Sequence, residues 1–106
     1  MERPENYNSI TTLDISYENL TELPSWVSEC KNLKILNCSN NNITQIYNLL
    51  PRLKELYCTN NKIIQIDNLP KTLKELICYN NLLKYEFEHT LENIRNYNNK
   101  QNKLPK

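Results

Sequence analysis

The chain of 106 residues has no glycine and no alanine, and only one valine and one phenylalanine. Without glycine there is no glycine-rich phosphate loop, because a P-loop or dinucleotide site needs backbone that a Cβ would block. Long apolar runs are missing too, none approaching the roughly 18 residues of a membrane span. The opening MERPENYN lacks the apolar stretch of a secretory signal, so the expected setting is the cytoplasm. Neither sign of charge dominates: 13 Lys and Arg stand against 12 Asp and Glu, for a net charge of +1. A nucleic-acid or membrane-surface role resting on bulk electrostatics needs a clustered basic face. Neither partner is expected here.

What is present is repetitive. The length suits one small domain, and it holds 19 Asn, 16 Leu, 10 Ile and 10 Lys. Cys38, Cys58 and Cys78 recur every 20 residues, within LKILNCSNNNITQI (33–46), LKELYCTNNKIIQI (53–66) and LKELICYNNLLKYE (73–86). An earlier copy, ITTLDISYENLTEL (10–23), precedes the second by 23 residues. Apolar residues occupy positions 1, 4, 6, 11 and 14, as in Leu33, Leu36, Cys38, Ile43 and Ile46, until Glu86 ends the pattern at position 14 of the fourth copy. The two-residue step from position 4 to 6 is strand alternation, which sends both side chains to one side. The later spacings fit neither a continued strand nor a helix. They need a chain that turns back and fills the same interior from another wall, one coil of a solenoid.

Position 9 is Asn41, Asn61 and Asn81, with Glu18 in the first copy. A short amide satisfies backbone groups exposed where the chain leaves a strand, so these residues are expected to form a ladder between coils. The pattern L-x-x-L-x-[LC]-x-x-N-x-[LI]-x-x-[LI] resembles the leucine-rich repeat. The short 20-residue units further resemble the repeats of bacterial effector proteins and of giant DNA viruses. The resemblance implies an α/β solenoid: an arc with a parallel β-sheet on its concave side, irregular or 3₁₀ turns on its convex side and a helical cap. The expected organisation is a flank over 1–9, four repeats at 10–32, 33–52, 53–72 and 73–85, and a helical cap with a mobile tail over 86–106.

The connections carry their own signals. Residues 24–32 suit one helical turn with Ser25 as N-cap, whereas Pro51 and Pro70 disfavour helix in the next two. Leu91, Ile94 and Tyr97 fall near one helical face, with Thr90 as the cap. Tyr7 and Pro4 alone are candidates to cover the amino-terminal coil, which leaves monomer or weak homodimer as the expected state.

Chemistry has few candidates. Metal ligation wants sulfurs converging about 2.3 Å from zinc, but parallel strands hold Cys38, Cys58 and Cys78 side by side, roughly 4.8 Å apart. These three are expected as reduced core thiols, and Cys30, in the convex turn, as the most reactive of the four. His89 is the only histidine; it stands next to Glu88, and no Ser/His/Asp or Cys/His constellation can be assembled around it. No metal, cofactor or catalytic residue is expected, and the protein is read as a non-enzyme. Three N-x-[ST] triplets, at Asn19, Asn37 and Asn42, follow from the Asn-rich composition.

Outward positions 3, 5, 7 and 8 stack into columns on the strand face. They bring together Glu55 and Glu75, Asn37, Tyr57 and Ile77, and Tyr79, with Tyr17, Asn40, Asn60 and Asn80 as the position-8 column. Exposed aromatics beside charged rims are typical of binding hot spots; the other reading is that abundant tyrosine merely shields backbone. The expected function is a protein-interaction module that binds a protein or peptide on its concave face. Resemblance to bacterial effectors implies a second role, as the recognition half or a competitor of a ubiquitin-ligase-type effector. A third reading is a minimal repeat protein with no dedicated ligand.

Overall fold

The computed structural model describes residues 1–47 and 49–103 and measures 42 × 24 × 24 Å. Each coil enters on a three-residue strand: β1 (Thr12–Asp14), β2 (Ile35–Asn37), β4 (Glu55–Tyr57) and β6 (Glu75–Ile77). They form one parallel sheet in the order β1-β2-β4-β6. Register follows the repeat position by position: Leu13, Leu36, Leu56 and Leu76 lie in one row, and Asp14, Asn37, Tyr57 and Ile77 in the next. The ladder continues past the strand ends, since the Cys38 N–H donates to the Tyr57 carbonyl at 2.8 Å and the Cys58 N–H to that of Ile77 at 2.9 Å.

The return wall departs from the expected irregular turns. β3 (Gln45–Ile46) and β5 (Gln65–Ile66) pair in a second, two-stranded parallel sheet. Their Ile46 and Ile66 point inward against Leu36, Leu56 and the buried sulfurs, closing a single core. In the first copy the corresponding residues, Glu22 and Leu23, precede Pro24 and make no strand. The longer connection instead forms a 3₁₀ turn over Ser25–Glu29, with Trp26 and Val27 buried. Its cap position is held by Pro24, not Ser25, and no side chain caps it.

Residues beyond the fourth strand form the cap. Helix α1 spans Leu91–Lys103, longer than the sequence suggests. Thr90 starts it, its hydroxyl accepting the Asn93 N–H at 3.2 Å, and Glu92 in the first turn suits the positive end of the helix dipole. Ile94 is fully buried. The segment expected as a mobile tail is therefore helical through Lys103, while 104–106 lie outside the described residues. Asn98, the first residue past the apolar stretch, donates to the Ile66 carbonyl, a polar anchor that apolar periodicity cannot reveal.

Candidate functional site

With no glycine to use, the coils take their left-handed turns on other residues. Tyr17, Asn40, Asn60 and Asn80 have φ between 55° and 59°, and Asn19 and Asn68 join them at 53° and 52°. Asparagine tolerates this region because its short side chain bonds locally. Position 8 is thus a turn position, not the strand-face position expected from alternation. The turn also carries an exposed ladder of side chains: Asn80 Nδ2 donates to Asn60 Oδ1, and Asn60 Nδ2 to Asn40 Oδ1, both at 2.9 Å.

The buried asparagines stitch adjacent coils. Asn61 Nδ2 donates to the carbonyls of Cys38 (3.0 Å) and Cys58 (3.1 Å), while its Oδ1 accepts the Ile43 N–H at 3.0 Å. Asn81 repeats this with Cys58, Cys78 and Ile63. Asn41 reaches back to the first coil, accepting from Glu18 and Leu20 and donating to Ile15. Two of these Asn groups lie in the core, where an unpaired amide would cost about 1–3 kcal/mol.

All four cysteines are free and buried. Burial pushes the Cys38 thiol up to about 12 and raises Cys58 well above its ordinary value. Cys30 does not stand out as reactive: it is fully buried, its Sγ faces the Trp26 carbonyl at 3.7 Å, and burial raises it too. The sequence signal missed this because the 3₁₀ turn folds inward. No group of three or more metal-ligating side chains comes together among the described residues. His89 Nε2 lies 3.0 Å from the Tyr85 carbonyl; a carbonyl only accepts, so that nitrogen carries the proton.

On the strand face the candidates divide. Glu55 and Glu75 are direct neighbours across β4 and β6, and so are Tyr57 and Ile77. The Tyr57 hydroxyl donates to a Glu55 carboxylate oxygen, and this bond pushes the phenol up to about 12. Tyr79 is 70% exposed. Asn37 is set differently: its Oδ1 accepts the Ser39 N–H at 3.0 Å, the same local turn that Asp14 makes with Ser16. Half-buried and engaged with its own backbone, Asn37 serves the strand exit. Neither glutamate has a cationic partner among the described residues, where the one ion pair joins Arg3 to Glu29.

Residues 31–71 match the family model for leucine-rich repeats, in two copies. Over these residues the chain is built of leucine-rich repeats. Leucine-rich-repeat domains generally mediate protein–protein interaction and are typically non-enzymatic. No curated protein and no solved structure matches this leucine-rich-repeat chain.

Proposed function

We propose that this leucine-rich-repeat protein binds a protein or peptide on its four-stranded face, with Tyr57, Ile77 and Tyr79 as apolar anchors. The carrying observation is the pairing of Tyr57 with Ile77 across β4 and β6, two residues before the exposed Tyr79 and beside Glu55 and Glu75, carboxylates that form no ion pair among the described residues. The first two coils offer mainly small polar groups on that face, so the binding half is the carboxy-terminal one. Anchors on a sheet held by register and by asparagine ladders are preorganised, which lowers the ordering cost of association. The two glutamates select a partner with a basic group next to an apolar one. Four unpaired thiols support a reducing, cytoplasmic setting.

The triple variant Tyr57→Ala, Ile77→Ala and Tyr79→Ala tests the reading. It should keep its circular dichroism and lose most of the partners captured by the wild type from native lysate. Capture of the same proteins by both would remove the strand face from consideration.

A further inference from the structure

The two ends of the solenoid are finished differently. At the carboxy-terminal end, side chains stand in for a missing fifth coil. The Tyr85 hydroxyl accepts the Ile66 N–H at 3.1 Å and donates to the Ile66 carbonyl at 3.0 Å, and Asn98 donates to that carbonyl at 3.1 Å. Arg95 donates to the carbonyls of Pro70 and Leu73, both at 2.9 Å. Tyr85, Phe87 and Tyr97 pack ring on ring within 6 Å of one another above the last coil.

The amino-terminal end has no such closure among the described residues. Ile10, Leu13, Leu20 and Leu23 are only half-buried, whereas their counterparts in the second and third coils are almost wholly buried. The flank covers the edge only in part: Tyr7 packs against the core, but the polar contacts lead elsewhere, Arg3 pairing with Glu29 and the Met1 and Asn8 carbonyls accepting from Trp26 and Asn32. Backbone groups alternate sides along a strand. The Thr11 carbonyl and the Ile15 and Tyr17 N–H groups bond the second coil, which turns the N–H and C=O groups of Thr12 and Asp14 to the open edge.

Charge says what fits there. Residues 1–23 carry Glu2, Glu5, Asp14, Glu18 and Glu22 against Arg3 alone, while residues 24–106 carry 12 basic and 7 acidic side chains. Asp14, Glu18 and Glu22 are exposed and follow one another along the first coil, Asp14 on β1 and the two glutamates beyond it. Two copies brought together by these ends would oppose like charges. We infer that the open edge of β1 takes an extended segment of a partner protein that alternates basic and apolar residues and adds as a fifth strand. Its backbone satisfies Thr12 and Asp14, its apolar residues cover Leu13 and Leu20, and its cations meet the acidic rim.

The test uses the full chain and a capped peptide alternating Lys with Val, against one alternating Glu with Val. The Lys peptide slows amide exchange at Thr12 and Asp14 on the order of tenfold, less so in high salt. Changing Glu18→Lys with Glu22→Lys shifts the preference to the Glu peptide, and the triple strand-face variant leaves the effect intact, separating this edge from the proposed binding face. Equal binding of both peptides overturns the inference. So does protection confined to other strands, or concentration-dependent protection without peptide, which assigns the edge to a second copy.

Discussion

At the residue scale one amide does two jobs in consecutive positions. Asn60 takes the left-handed turn and joins the exposed ladder, while Asn61 bridges two coils from the core. A residue without Cβ would serve the first job, but only a side chain with both donor and acceptor serves the ladder. The first coil breaks this rule, with Tyr17 at φ 57° and no amide to accept from Asn40. A non-glycine residue in that region costs roughly 1–2 kcal/mol, and asparagine lowers the cost by bonding locally. Replacing Tyr17→Asn should therefore stabilise the protein by about 1 kcal/mol, seen as a higher urea midpoint at unchanged slope. Tyr17 is largely exposed, so little packing is lost. A lowered midpoint would mean that the tyrosine ring contributes more than the strain it causes.

At the element scale the strands were readable and the ends were not. Leu36, Cys38, Leu56 and Cys58 announce an inward row by spacing alone, and the parallel sheet follows from repetition of that spacing. The second sheet left no such trace, because two residues per strand are too few to alternate. On the face, outward direction was legible at Tyr57 and Ile77, but the bond from Tyr57 to Glu55 and the local turn at Asn37 depend on rotamers. Alternation stops at the strand end, so position 8 turns left-handed, and the turn that carries Cys30 folds inward, so the thiol is not at the surface. The cap hid its function in polar residues. Tyr85→Phe tests that function: it removes the hydroxyl that serves both polar groups of Ile66, while Asn98 still reaches the carbonyl. The Ile66 N–H is left unpaired, and stability should fall by about 1–3 kcal/mol in a urea titration. A loss below measurement would show that this edge finds water instead.

At the scale of the whole molecule, a stack in which each coil touches only its neighbours has a stability that varies along its length. The middle coils are covered on both sides: Leu36, Cys38, Leu56, Cys58, Ile63 and Ile66 are all closed to solvent. The fourth coil is weaker, with Leu76 and Cys78 slightly open, but α1 and the tyrosine cap hold it. The first has only Tyr7 of the flank against it and no asparagine at position 9, and Glu18 contributes only its backbone to the Asn41 bridge. Opening should therefore begin at the amino-terminal end. Native-state exchange checks this at equivalent amides: Cys38 and Cys58, bonded to Tyr57 and Ile77, should exchange slowest, and Ile15, bonded to Asn37, fastest of the three. The Tyr17→Asn variant should slow Ile15 while leaving Cys58 almost unchanged, since strain relieved in a frayed coil stabilises that coil first. Equal exchange at all three amides would mean that the four coils open as one cooperative unit, with no amino-terminal step to separate.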